Sequence, residues 1–433
     1  MSGDPLVMLC TCDIAGQVRG KAIPLRALER RREIGVGWTP TNLMITAHGA
    51  IAPSPWGSRG DLYLRPDLET LVRVELGEER VVSFALADVM ELDGRPWSCC
   101  PRGFLKRAVA ALDERGLRLR AAFEQEFALL GVEERPNSPY NLDAFRRQGW
   151  FGERFFAALR EAGIEPDTFM PEYGPAQYEV TIHHAEALRA ADQAVQLREI
   201  ARAAAESLGL RATFTPVLRP DAVGNGVHVH FSLMDRDGRP CNFDPARPFG
   251  LSATAEAFLE GIRRHLRPLC ALTAAAVTSY LRLVPNRWSA AWTNVGHQDR
   301  EAAVRICPVF RPGSEASALH FEYRAADAAA SPHLLLGAVI WAGLSGLDAE
   351  ARLPTVTTRD PADMSEEQRA RHDIRRLPTS LAEALDELES CTPLREAMGE
   401  TFHQVYLAHK RFEVELLAEL DPLRQCERYA LLY

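Results

Sequence analysis

The sequence predicts an α+β protein in two parts, a small sheet domain over residues 1–100 and a larger domain of strands and helices over residues 101–433. Three observations point there. From about residue 5 to 100, short β-like runs at 7–13, 62–64, 71–74 and 81–86 are punctuated by Gly and Pro, and only residues 25–32 have helical spacing. After a boundary near residues 96–101, strand-period runs alternate with long runs of helix formers. Within that larger part, four strand-period segments each place ionisable side chains on a single face.

The larger part opens with a helix over 102–114, where Phe104, Ala108 and Leu112 recur at helical spacing and Gly116 supplies the stop. A strand over 122–130, a surface loop over 134–141 and a helix over 152–162 follow. Residues 172–179 read as a turn opening into a strand, and 187–208 as a helix stopped by Gly209. The run 224–233 is a strand entered through a Gly-Asn-Gly turn. It leads by a turn at 235–238 to a helix over 253–265 and a partly helical run over 269–283. Residues 286–298, with Trp288 and Trp292, read as a loop, and 300–305 as a strand. An apolar helix over 334–347 precedes some seventy residues of charged amphipathic helix suited to packing and assembly.

Candidate chemistry lies on the polar strand faces. Val227, Val229 and Phe231 alternate with His228, His230 and Ser232, so two imidazoles and a hydroxyl share a side, beside a glycine turn at Gly224 where backbone can approach a ligand. Glu124 and Glu126 share a face against Phe123 and Phe127. Gln177, Glu179 and Thr181 share another, as do His320, Glu322 and Arg324. Gathering several carboxylates is costly unless cations neutralise them, so the pattern predicts a multi-metal site lined by Glu and His. Oxygen-rich ligation favours Mg or Mn over Zn. Adjacent His183 and His184 would face opposite ways on a strand and are read as bland.

Composition narrows the class. A net charge of -9 argues against nucleic acid or anionic membrane as the main partner. No run approaches the roughly twenty apolar residues of a membrane span, and the expectation is a cytoplasmic protein. The nine cysteines, at 10, 12, 99, 100, 241, 270, 307, 391 and 426, form neither a disulfide framework nor a paired zinc pattern and are read as core or surface thiols.

Seven motifs, in order, resemble the glutamine synthetase family over about residues 10–420. They are Phe-Glu-Gln-Glu-Phe at 123–127, Glu172 through Glu179, Ala-Thr-Phe-Thr-Pro at 212–216, Gly-Asn-Gly-Val-His-Val-His at 224–230, Ser-Tyr-Leu-Arg-Leu-Val-Pro at 279–285, Arg300 with Arg305, and Glu322 with Arg324. The resemblance implies a β-grasp amino-terminal domain and a catalytic domain whose curved antiparallel sheet is flanked by helices. It implies ATP as a substrate and two or three Mg or Mn ions per site. Glu126, Glu172 and Glu179 would hold one ion, and Glu124, His228 and Glu322 another, with His230 and Ser232 near the nucleotide. Arg300 and Arg305 would serve the transferring phosphoryl group together with the metal ligand Glu322, and Arg282, Arg324 and Gly224 the acid substrate. It further implies a ring-forming homo-oligomer, a dodecamer, with active sites between subunits and the loop around Trp56 reaching a neighbour.

The chain departs from the resemblance where ammonium-using members carry acidic groups. Residues 286–290 read Asn-Arg-Trp-Ser-Ala where Gly-Tyr-Glu-Ala-Pro would stand, so Trp288 takes the glutamate's place. Residues 45–60 contain no Asp or Glu, and Ala47 falls where an aspartate is expected. Trp288, Trp292 and Trp56 suit an organic amine, a monoamine by preference. The expected function is an ATP-dependent ligase that joins glutamate to such an amine through an acyl phosphate. An ordinary glutamine synthetase and a non-catalytic structural or regulatory member are the alternatives; six intact metal ligands speak against the last. Val217, Val223, Ser317 and His320 replace residues common in the family and leave the acid open, and residues 351–380 lack the Leu-Tyr-Asp signature of adenylylation. Removing Glu322 is expected to abolish ligation and to relieve repulsion without harming the fold.

Overall fold

The computed structural model describes residues 4–77, 81–133 and 139–433. Its first sheet is built from β1 (Leu6–Cys12), β2 (Val18–Pro24), β3 (Val36–Trp38), β4 (Leu62–Pro66), β5 (Val72–Glu75) and β6 (Val81–Glu91), in the order β2-β1-β6-β4-β3 with β5 also on β6. β1 and β6 are parallel neighbours at the centre, and the helix Leu28–Ile34 crosses between β2 and β3. This is the expected β-grasp layout. Alternation buries Val7, Leu9, Leu62, Leu64, Val72 and Val74 on one side.

The second sheet has nine strands: β7 (Arg118–Leu130), β8 (Pro166–Pro171), β9 (Gln177–Ile182), β10 (Ala185–Glu186), β11 (Arg211–Thr213), β12 (Val227–Met234), β13 (Trp292–His297), β14 (Ala302–Ile306) and β15 (Phe321–Tyr323). The order is β13-β14-β15-β12-β7-β9-β8, with β10 and β11 also on β7. Pairing is antiparallel except for β13 with β14. Phe123, Phe127, Val229 and Phe231 point to the buried side, where the helix Ala187–Glu206 lies on β7 and Phe231 meets Phe258 of the helix Ala253–Arg264 at 6.0 Å. That helix crosses Pro332–Asp348 at a contact only glycine permits, since a Cβ on Gly346 would stand 2.0 Å from the Ala257 carbonyl oxygen.

A buried ionic knot ties the two sheets together. Arg102, 2 % exposed, reaches Asp67 at 2.7 Å in the turn after β4, Asp88 at 2.9 Å on β6, and Asp192 at 2.8 Å on the helix Ala187–Glu206 that packs on β7. Asp192 also holds His333 at 2.9 Å. No described helix is long and apolar enough to cross a membrane, and all nine cysteines are free.

Several expectations need correction. Residues 292–297 are a strand, not loop, because their polar groups find partners far along the chain: the Thr293 N–H donates to the Arg375 carbonyl at 2.8 Å and Asn294 Nδ2 to Thr357 Oγ1 at 2.9 Å. Trp292 accordingly lies beneath Arg369 and Arg376, 4.5 and 5.9 Å from its ring, and not in an amine pocket. The helix begun at 152 in the sequence reading starts ten residues earlier, as Leu142–Glu161, capped by Asn141 accepting from the Ala144 N–H at 2.8 Å. Of the loop at 134–141, residues 134–138 lie outside the described residues.

Candidate active site

Strand register brings the ionisable faces into adjacent rows. Glu126 stands opposite Glu179, Glu124 opposite His228, and Glu322 opposite both His230 and Arg305. These side chains, with Glu172, Gly224, Arg282, Trp288, Arg300 and Arg324, line one cavity of about 960 Å³. Of the site residues read from sequence, Ser232 is outside its lining, as are Trp292 and Trp56; Ser232 stands two residues beyond His230, opposite Arg120.

Two compact donor sets form at the floor: Glu124, His228 and Glu322, and Glu126, Glu179 and His228. His228 Nδ1 is 2.6 Å from Glu124 Oε1 and 3.7 Å from Glu322 Oε1, while its Nε2 is 3.9 Å from Glu126. The first set is the one the resemblance implies. In the second, His228 replaces Glu172, whose Oε2 accepts from the Tyr173 N–H at 2.5 Å and from the Tyr140 hydroxyl at 3.4 Å. Gln177 braces Glu126 at 3.4 Å, the Gly224 carbonyl at 2.9 Å and Asn225 Oδ1 at 2.9 Å.

The charges are unevenly satisfied. Burial, and then Glu124, Glu126 and Glu172, push Glu179 up to about 10. Burial and Glu126 push Glu172 up to about 7. Glu322 is more deeply buried than either, yet Arg324, His228 and His230 hold its carboxyl down at about 2. Hydrogen bonds from His228 and His230 likewise hold Glu124 well below the usual carboxylate range against its burial. On the Glu126–Glu172–Glu179 side no Lys or Arg pairs with the carboxyls among the described residues, so Glu179 and Glu172 hold protons that a cation would displace, and hard oxygen donors in such a cluster fit Mg or Mn.

Above the floor, Arg305 Nη1 donates to Glu322 Oε2 at 2.9 Å, and Arg324 pairs with the other oxygen. Arg324 also donates to the carbonyls of Arg300 at 3.0 Å and Trp288 at 2.9 Å. Arg282 donates to the carbonyls of Ser289, Arg324 and Ala326. It packs across Gly224, where a Cβ would fall 2.6 Å from Arg282 Cγ and 2.7 Å from the Pro216 carbonyl oxygen. Arg300 is exposed at the rim and makes no ion pair among the described residues.

The loop carrying Trp288 has positive φ at Asn286, Trp288 and Ala290 (62°, 53° and 72°), a conformation costly for side-chain-bearing residues. Glu301 Oε1 accepts from the Trp288 N–H at 2.7 Å, and the Arg324 and Arg282 contacts secure the rest. Held in this way, Trp288 is 61 % exposed at the cavity wall. Sequence reading missed Tyr140, Tyr173, Cys307 and Phe310 in the lining. Trp56 packs on Trp97 with ring centroids 5.4 Å apart, and Ala47 joins a buried cluster with Ala15, Ala276, Tyr429 and Tyr433.

Comparison with known proteins agrees with this architecture. Residues 4–97 match the glutamine synthetase N-terminal domain and residues 98–428 the glutamine synthetase catalytic domain. A gamma-glutamylpolyamine synthetase of Streptomyces coelicolor is 34% identical over 428 residues, 96% of this chain and 91% of that protein. A glutamine synthetase of Pyrococcus abyssi is 32% identical over 426 residues, 95% of this chain and 91% of that protein. A solved structure of a glutamine synthase homologue superposes with a TM-score of 0.92 at 41% identity, covering 100% of this chain and 99% of that one.

Proposed function

The chain belongs to the glutamine synthetase family of carbon–nitrogen ligases, which use ATP and divalent metals, and on that premise we propose that it joins glutamate to an organic amine. The product is a γ-glutamyl amide, formed through an acyl phosphate. The observation that carries the reading is Trp288, held at the cavity wall in the loop where the resemblance implies a glutamate in ammonium-using members.

Each residue has a proposed task. Glu126, Glu172 and Glu179 on one side, and Glu124, His228 and Glu322 on the other, would hold the cations. A divalent ion held there would supply neutralisation of phosphate charge. Arg305 and Arg300 present guanidinium donors to the transferring group. Arg282 and Arg324 position the acid, and Gly224 leaves room for the Arg282 stem. His230 and Ser232 belong to the nucleotide end, with Ser232 acting from outside the cavity lining. Trp288 walls the amine subsite.

Residues 1–100 and 101–433 serve as the two domains, and a ring-forming homo-oligomer, a dodecamer, completes each site from a neighbour in a cytoplasmic enzyme. An apolar monoamine suits the indole wall. A polyamine is the second reading, favoured by the name of the Streptomyces relative. The test is mass spectrometry of reactions containing glutamate, ATP, Mg and a panel of alkyl, aryl and polyamines. A γ-glutamyl amide with stoichiometric ADP supports the reading, and ADP formation with ammonium alone overturns it.

A further inference from the structure

Beside the carboxylate floor, a softer cluster lines the same cavity. His230 on β12, Cys307 just past β14 and His320 just before β15 each offer one donor atom, and the three lie within 4.8 Å of one another. His230 Nδ1 is 3.9 Å from Cys307 Sγ, and the two imidazole rings are 5.3 Å apart. Sheet pairing creates the cluster: the Cys307 N–H donates to the His320 carbonyl at 3.1 Å, and His230 stands opposite Glu322, two residues past His320.

The second nitrogen of each ring is oriented as in a ligating histidine. His320 Nδ1 is 2.9 Å from the Ala318 carbonyl oxygen, which can only accept, so Nδ1 carries the hydrogen and Nε2 of the neutral ring keeps its lone pair. His230 Nε2 stands 3.5 Å from Glu124 Oε2, which leaves Nδ1 to face the thiol. Carbonyl and carboxylate partners of this kind fix the tautomer and direction of metal-bound imidazoles. Bonds of about 2.3 Å to sulfur and about 2.0–2.1 Å to nitrogen, at a tetrahedral angle, put S and N about 3.5 Å apart. The observed 3.9 Å closes with a small side-chain shift.

We propose that His230, Cys307 and His320 form a site for a borderline-soft divalent metal ion of the zinc type, distinct from the oxygen-rich Mg or Mn sites. Thiolate and imidazole donors discriminate against Mg and Mn in favour of such an ion. Binding forms a metal–thiolate bond and releases the Cys307 S–H proton to solvent, with no change of oxidation state. All three residues line the cavity, so any further ligand would come from it. Because His230 is also the residue proposed at the nucleotide, filling this site opposes ligation, a consequence that rests on the proposed function; the binding itself does not.

Cobalt(II), added to chelator-treated full-length protein in excess Mg, is the probe. The expected result is one equivalent bound per chain with thiolate-to-cobalt charge-transfer absorption, displaced by zinc. Cys307→Ser removes that absorption, and His320→Gln, at a partly exposed position, weakens binding at least tenfold. Absence of the absorption, or its persistence in Cys307→Ser, overturns the site. If Cys307→Ser does not fold, unchanged affinity in His320→Gln overturns it instead. In the ligase assay zinc should inhibit, with at least tenfold more needed against Cys307→Ser. A normal cobalt spectrum with no zinc effect on ligation refutes the overlap with the nucleotide.

Discussion

Glu179→Gln and Glu322→Gln are expected to move stability in opposite directions, although both remove a carboxylate from the same cavity. Glu179 titrates at about 10 in the folded chain against an ordinary 4.5, so at pH 7 the folded state keeps a proton that the unfolded chain releases. That penalty is absent below about pH 4.5 and grows as pH rises toward 10. At pH 7, with about 1.4 kcal/mol per pH unit, it amounts to about 3 kcal/mol, which Gln removes. Glu322 titrates at about 2, so its stabilisation is fully present above 4.5 and is lost as pH falls through 2. Gln gives up about 3 kcal/mol there and leaves the Arg305 and Arg324 guanidiniums without their anion. The expectation that loss of Glu322 relieves repulsion therefore fails on geometry: its neighbours are cations as well as anions. Thermal unfolding of chelator-treated protein at pH 7 should show shifts of about 6 °C, upward for Glu179→Gln and downward for Glu322→Gln, at about 2 °C per kcal/mol. Saturating Mg should stabilise the unmodified protein and cancel the Glu179→Gln advantage. Shifts of the same sign, or no dependence on Mg, would refute the charge assignment.

Other consequences are open to direct measurement. An indole of about 200 Å² with 61 % exposed leaves about 120 Å² to cover. If an amine shields half, about 1.5 kcal/mol follows, so Trp288→Ala should lower kcat/KM for an alkyl or aryl amine roughly tenfold and leave the ammonium reaction unchanged; an equal loss for both would remove the indole from the amine subsite. Trp288→Glu should shift preference toward ammonium, read as the ratio of the two efficiencies. Arg102→Ala removes the cation shared by Asp67, Asp88 and Asp192, leaving only Lys106 on Asp88 and His333 on Asp192, and should cost about 3–5 kcal/mol in denaturant unfolding; an unchanged midpoint would contradict the buried knot. Sedimentation at assay concentration should show a ring-sized oligomer, and a fully active monomer would refute shared sites.

The catalytic floor was readable because it depends on strand alternation. Once residues 123–127, 177–181 and 227–231 are strands, their polar faces are set by period alone, and pairing needs only to bring them side by side. What escaped the sequence depends on distant partners. Thr293 and Asn294 look like loop residues until Arg375 and Thr357 satisfy them. Cys307 looks like any core thiol until the β14–β15 pairing sets it beside His320 and His230. β8 escaped because proline bounds it at both ends, a composition tolerated at a sheet edge and seldom read as strand. His228 was assigned to one donor set, yet it faces two because both β7 carboxylates lie on its side.

On the proposed function, the missing acid and the Trp288 wall direct this ligase to an organic amine. The most direct measurement is kcat/KM for a hydrophobic primary amine and for ammonium, compared in the unmodified protein with saturating glutamate, ATP and Mg. A large preference for the amine is expected. Equal or greater efficiency with ammonium would contradict it and return the chain to ordinary glutamine synthesis.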